Sequence, residues 1–282
     1  MKILVTGASG RIGIPVLREI HKLGLPIRIL DKCSPPQEAF DYLEDYVEGN
    51  ILDYTSWQRA LSGVDVVIHL AAVSRNTSDA LRTNLISTHM LAYCAAEQNV
   101  RKIIFASSNC VVGHCDMKPC SQFQAEYFPI DEAHPFFHEA DYGLSKYLCE
   151  KVLEAAVRKN QYEVIALRLG WVWSKSQCAI RKNDNLIGEN TYIDAIWNYI
   201  HEEDCAAAFR LAITKTMPSK FEVMYISARD TLSSVPSRIL ADKYFSSAAL
   251  LEDWEKFSFP SFFSWKKAKK LLGYEPMHSW RE

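Results

Sequence analysis

No apolar run in the 282 residues reaches the roughly 18 that a membrane-spanning helix needs. There is no C-x-x-C pair among the eight cysteines. Eight cysteines spread over a chain this long do not make a disulfide scaffold, so reduced thiols are expected. Net charge is scarce, at -2, which leaves no strong field to draw in nucleic acid or an anionic membrane. A strand-like run opens at Lys2, which leaves no space for the charged and apolar regions of a signal peptide. The expectation is a cytoplasmic protein. Internal repeats and low-complexity tracts are also lacking. What is present is bulk. Hydrophobic residues make up 48%, aromatic residues 12% and charged residues 23%, which excludes a disordered chain. The length admits one large α/β domain or two small ones.

The first 170 residues alternate apolar runs with helical patterns. Lys2 to Thr6, Ile27 to Leu30, Val64 to Leu70, Ile103 to Ala106 and Val164 to Leu169 read as strands. Residues around Val16, Tyr54 to Leu61, Asp79 to Gln98 and Tyr142 to Lys159 read as helices, with Asp53 capping the second. The strand runs lack polar alternation, as strands covered on both faces do. The expected fold is α/β, a doubly wound parallel sheet. Beyond Gly170 the pattern loosens. Asp204 to Ile213 and Lys266 to Leu272 read as helices and Val223 to Ile226 as a strand, with Ser264 and Gly273 as caps of the last helix. The lysines of that last helix read as a solvated face that suits the helix dipole.

Gly7, Gly10 and Gly13 join the first strand to the first helix in a G-x-x-G-x-x-G pattern. Gly7 permits the tight turn, Gly10 lets a pyrophosphate approach the backbone, and Gly13 lets the helix pack closely. The helix N-terminus adds free N–H groups and a positive dipole end. Asp31 ends the second strand 18 residues after Gly13, where a carboxylate grips the adenine ribose. A carboxylate repels a 2′-phosphate, so NAD is favoured over NADP, although Arg28 and Lys32 are cations close enough to blur the choice.

Tyr142 and Lys146 stand four apart on one helix and face the same way. A free phenol, with a pKa near 10, is ionised in only about one molecule in a thousand at neutral pH. Lowering that pKa by about three units takes roughly 4 kcal/mol, which Lys146 and a cationic nicotinamide can supply together. Ser108 ends the preceding strand, at the sheet edge where ligands bind in parallel sheets.

These residues, with the segments TGASGRIG, GNILD, HLAAVS, FASSNCVVG, YGLSK, ALRLGWVW, YIHEEDCA and KKAKKLLGYEP, resemble the extended short-chain dehydrogenase/reductase superfamily, the NAD-dependent epimerase/dehydratase group. The resemblance covers nearly the whole chain. It implies a Rossmann-like core over residues 1–170 and a small C-terminal substrate-binding part, 171–282, interwoven with it. It implies NAD held by Gly7, Gly10, Arg11, Ile12, Gly13 and Asp31, with Asn50 and Ile51 at the adenine. Leu70, Ala71 and Ala72 would pass under the cofactor, Ala106, Tyr142 and Lys146 would touch it, and Gly170 and Trp171 would lie by the carboxamide. Tyr142 would be the acid or base, Lys146 its electrostatic partner and Ser108 the third catalytic residue. The group usually carries Asp where this chain has Asn50.

The closest motif match is to uronate dehydrogenases, which places Ser74, Ser108, Asn109 and Cys110 against a sugar acid. Those enzymes carry histidine in place of Cys110 and an arginine that clamps the carboxylate. Tyr192 to Trp197 contains no arginine, and Arg181 is the nearest. The resemblance further implies a homodimer through the helices around Leu81 to Gln98 and Tyr142 to Lys159. The substrate expected is a sugar, sugar acid or nucleotide sugar. A non-catalytic dinucleotide-binding redox sensor is the alternative from another class; such relatives lack the Tyr–Lys pair.

Four further features invite a role. Cys110, His114, Cys115 and Cys120 fit no zinc spacing, and no metal is expected. The long stretch from Gly113 to Pro135 reads as a lid or as a packed surface loop. His201 to Asp204 reads as a structural turn at a helix start. Trp171, Trp173 and Trp197 read either as pocket aromatics for a sugar ring or as core.

Overall fold

Seven short β-branched and aliphatic segments pair side by side in a parallel sheet. The computed structural model describes residues 1–74, 77–114, 123–137, 140–183, 192–251, 254 and 258–282. In chain order the core elements are β1 (Ile3–Thr6), α1 (Gly13–His21), β2 (Ile27–Asp31), β3 (Asp45–Glu48), α2 (Tyr54–Leu61), β4 (Val66–His69), α3 (Ser78–Glu97) and β5 (Lys102–Ser108). Then come β6 (Tyr127–Phe128), α4 (Asp141–Val157), β7 (Glu163–Leu169), β8 (Trp171–Trp173) and α5 (Lys175–Asn183). The last are β9 (Tyr199–His201), α6 (Glu202–Thr214), β10 (Phe221–Ile226), α7 (Ser237–Tyr244), β11 (Ala249–Leu250) and α8 (Lys266–Leu272).

The sheet order is β10-β7-β5-β4-β1-β2-β3. Successive strand residues point to opposite faces, and both faces are covered. Ile3 and Val5 pack with Val16, Leu17 and Ile20 of α1 and with α6 and α8. Leu4, Val67 and Phe105 pack the other way, against Trp57 of α2, Leu91 of α3 and Leu153 of α4. The expected doubly wound, Rossmann-like sheet is therefore present. The order reverses between β1 and β4, and such a switch point opens the ligand crevice. β10 comes from beyond residue 170 and completes the sheet beside β7, so the C-terminal third is woven into the core.

Asp53 caps α2 as expected, its carboxylate accepting from Ser56 N at 2.8 Å. Gly273 closes α8 with φ of 73°. The residue at the α8 N-cap is Trp265 rather than Ser264, whose hydroxyl accepts from Lys266 N one residue later. β3 has no counterpart in the sequence reading. It is an edge strand with half-buried side chains, so its segment carries no apolar run.

A third apolar cluster gathers Trp173, Ile196, Trp197, Tyr199, Phe128 and Phe262. Phe123 and Phe128 are buried there, and β6 pairs with β11. The described part of the Gly113–Pro135 stretch is thus core-packed and carries a strand. Residues 115–122 lie outside the described residues. No helix among the described residues is long and apolar enough to cross a membrane.

Candidate active site

The glycine loop leaves β1 and turns sharply into α1. Gly7 has φ of 71°, and a Cβ there would sit 2.5 Å from Ala71 Cα. A Cβ on Gly13 would lie 1.8 Å from the Ala8 carbonyl oxygen, so Gly13 is needed for contact with the loop itself rather than with the sheet. The first turn of α1 carries no acidic side chain to compensate its positive end. Asp31 is nearly buried beside this loop. Its Oδ2 accepts from Ser9 N at 2.9 Å and its Oδ1 from Lys32 N at 2.8 Å. The Ser9 hydroxyl is buried with no partner among the described residues. A tight backbone cradle, an oriented carboxylate and an unsatisfied hydroxyl fit a dinucleotide. Arg28 is removed from the NADP argument, because Asp45 and the carbonyls of Ala60 and Ser62 engage its guanidinium.

From this loop a cavity of about 840 Å³ runs along the sheet edge to Tyr142. Gly7, Gly10, Arg11, Ile12, Leu70, Ala72, Ala106, Gly170 and Trp171 line it, together with Ser74, Ser108, Asn109, Cys110, Tyr142 and Lys146. Gly13, Asp31, Asn50, Ile51 and Ala71 do not line it. Ala71 instead supports Gly7 from behind. Asn50 follows β3, and its Oδ1 accepts from Leu52 N at 2.9 Å. Ser107, His114, Val172, Tyr192 and Ala195 are lining residues that the sequence did not reveal. Ser107 and Val172 stand beside the predicted Ser108 and Trp171 on β5 and β8, while His114, Tyr192 and Ala195 lie in separate segments with no shared spacing.

Ser108 does two things. Its hydroxyl accepts from Cys110 N at 3.1 Å, capping the next turn, and it stands in the cavity wall with Tyr142, where it acts on the phenol. Burial pushes that phenol above its usual pKa, and Ser108 pulls it back. The ammonium of Lys146 donates to Ala106 O at 2.8 Å and lies 4.8 Å from the Phe105 ring centre. Burial lowers Lys146 to about 8. Asn84 of α3 binds Val73 through both its N–H and its carbonyl and donates to Ser145 Oγ at 3.0 Å, tying the loop after β4 to α4.

Cys110 is disulfide-bonded, not the reduced thiol expected. Its partner lies outside the described residues. Arg181 is buried, with Nε donating to Leu232 O at 3.0 Å and the guanidinium 4.5 Å from the Trp280 ring. It does not line the cavity. Trp173 and Trp197 are core, whereas Trp171 is 38% exposed at the cavity wall. Outside the cavity, His201, Glu203 and His278 come within 4.8 Å of one another. His201 Nδ1 accepts from Glu203 N, and His278 Nδ1 meets Asp204 Oδ1 at 2.7 Å. These bonds cap α6 and fasten the C-terminal segment to it.

Residues 3–224 match the model of the NAD dependent epimerase/dehydratase family. The chain belongs to this family. Its dependence on NAD follows, and solved relatives hold that cofactor. Over 171 residues it is 29% identical to a uronate dehydrogenase of Pseudomonas putida, the match covering 60% of this chain and 60% of that one. Over 239 residues it is 26% identical to L-arabinose 1-dehydrogenase (NAD(P)(+)) of Haloferax volcanii, covering 81% of this chain and 89% of that one. The fold superposes on UDP-glucose 4-epimerase from Bifidobacterium longum in complex with NAD+ and UDP, with a TM-score of 0.73, 20% identity, and coverage of 100% and 95%.

Proposed function

We propose that the protein is an NAD-dependent oxidoreductase that oxidises a hydroxyl of a sugar or sugar acid, with Tyr142 as the base. The observation that carries this reading is the meeting of Tyr142, Ser108 and Lys146 at one end of a cavity whose other end is the glycine loop. NAD, when bound, supplies the hydride acceptor and a positive ring beside the phenol. Gly7, Gly10, Arg11 and Ile12 would hold its pyrophosphate, and Asp31 its adenine ribose. Lys146 would hold the nicotinamide ribose.

Ser108 donates to the substrate oxygen and orients it toward the phenol. Tyr142, brought toward its phenolate by the neighbouring positive charge, takes the hydroxyl proton. With the proton on the Tyr142 oxygen and the hydrogen of the carbinol carbon given up as hydride to the bound acceptor, that carbon would be left as a carbonyl carbon. Release of the carbonyl product makes the enzyme a dehydrogenase; return of the hydride to the opposite face makes it an epimerase. The dehydrogenase reading is supported by the likeness to L-arabinose 1-dehydrogenase over 89% of that protein.

The test is to mix the protein with NAD and a panel of free sugars, uronates and nucleotide sugars, following reduced nicotinamide by absorbance. NADH should accumulate with a free sugar or sugar acid. A flat trace throughout, with no epimerised product, contradicts the reading; tight NAD binding alongside it favours a regulator without turnover.

A further inference from the structure

Glu150 lies one turn beyond Lys146 on α4 and is 2% exposed. Its Oε1 accepts from Ser107 Oγ at 2.6 Å and from Arg168 Nε at 3.0 Å, and its Oε2 accepts from Arg168 Nη2 at 2.8 Å. Arg168, on β7, is 4% exposed. Its guanidinium sits 5.1 Å from the ring centres of both Phe136 and Tyr225, and Nη1 donates to Tyr225 Oη at 3.3 Å. One ion pair thus joins three elements of the site. α4 carries Tyr142 and Lys146, β5 ends in Ser107 and Ser108, and β7 leads into Gly170 and Trp171.

A buried ion pair is weak evidence for stability, since apolar replacements often fold as well. Its placement is more telling. From α4, Tyr142, Cys149 and Glu150 face Lys146; from β4, His69, held neutral by burial; from β5, the Phe105 ring and the Ala106 carbonyl. From β7, Arg168 stands behind Glu150. Burial disfavours the Lys146 ammonium, and Glu150 opposes that.

We propose that the Glu150–Arg168 pair is the positioning element of the Ser108–Tyr142–Lys146 trio, setting α4 against β5 and β7 and placing a buried carboxylate one helical turn from Lys146. This rests on the reading of Tyr142 and Lys146 as the residues that carry the chemistry. Glu150 holds Lys146 in its cationic form, and Arg168 limits how strongly it does so. Ser107, drawn to the same carboxylate, fixes the strand end from which Ser108 reaches Tyr142.

The test titrates Lys146 itself, by NMR of protein labelled at the lysine ε-carbon, with the resonance assigned by its loss in Lys146→Met. Glu150→Gln should move the Lys146 midpoint down by about one pH unit, tenfold in the proton equilibrium. Arg168→Gln should move it up by less than that, because the guanidinium stands behind the carboxylate and lies farther from Lys146. A purely structural role loosens the site in both variants and gives shifts of one sign, or none; either result overturns the proposal. If a single variant does not fold, Glu150→Gln with Arg168→Gln keeps neutral hydrogen bonds. Its midpoint should fall below that of the wild type, and an unchanged midpoint overturns the proposal. The reading of Tyr142 as the base is judged separately, by turnover of Tyr142→Phe, which this titration does not use.

Discussion

The two ends of the cavity are built differently. The dinucleotide end is made mostly of the glycine loop and apolar side chains at the ends of β1 and β4, Gly7, Gly10, Ile12, Leu70 and Ala72, with Arg11 as its cation. The substrate end is made of larger side chains from separate loops: Ser74, Asn109, Cys110, His114, Trp171 and Tyr192. The segment that carries Tyr192 and Ala195 into this wall also departs from ordinary backbone geometry. Tyr192, Ile196 and Trp197 have φ of 65°, 49° and 48°. A β-branched or bulky residue in that region costs of order 1–3 kcal/mol. The wall is kept in place because Ile196 and Trp197 are fully buried, with Trp197 N donating to Tyr192 O at 3.0 Å and Leu232 N to Trp197 O at 2.9 Å. The lesson is that the cofactor end has little room for chemical variation, whereas the substrate end is defined by side chains that substitution can change one by one.

The largest expected effect comes from breaking the cofactor end. Gly13→Val drives a branched side chain into the Ala8 carbonyl and should lower NAD affinity by at least about 100-fold, on the order of 3 kcal/mol, read by isothermal titration. Retained NAD affinity would show that the loop tolerates what its geometry forbids. Next comes the substrate end. Trp171→Ala removes the half-exposed wall ring and should raise the KM for the sugar roughly tenfold while kcat falls less, since a stacked aromatic face is worth about 1 kcal/mol. If NAD affinity were to fall instead, the indole would belong to the cofactor end.

The last effect is one of acidity, read on stability rather than on binding, and it acts on both ends. His69, bound to Thr6 Oγ1 at 2.7 Å under the glycine loop, and His114, in the cavity wall, are both held down to about 3 by burial. Unfolding frees each to take a proton near pH 6.5. The neutral imidazoles therefore stabilise the fold fully above that pH, and their contribution is lost as pH falls through it toward 3. Between pH 6.5 and 5 the loss should be about 2 kcal/mol for each, before most carboxylates titrate. Urea midpoints across that window, compared with His69→Gln, measure it; a flat profile would contradict the burial of neutral imidazoles.

The same contrast decides what could be read from the sequence. The glycine loop, Asp31 and the Tyr142–Lys146 pair announce themselves because each lies within one or two adjacent elements, at a spacing that a turn or a helix imposes. α2 and α8 are legible for the same reason, through periodicity and caps. Tyr192, Ala195 and His114 are not, since only the folded chain brings their loops together. The Glu150–Arg168 pair spans two elements and follows no pattern. Asn50 was expected at the adenine, yet its carboxamide oxygen serves the turn after β3. The Cys110 disulfide departs from the reduced thiols that eight cysteines with no C-x-x-C pair lead one to expect.

The most direct test of the account compares wild type and Tyr142→Phe for NADH formation and NAD affinity on the same preparations. The account predicts unchanged NAD affinity and turnover lower by roughly 10²- to 10⁴-fold, the usual contribution of a positioned base. Full turnover without the phenol oxygen would contradict it.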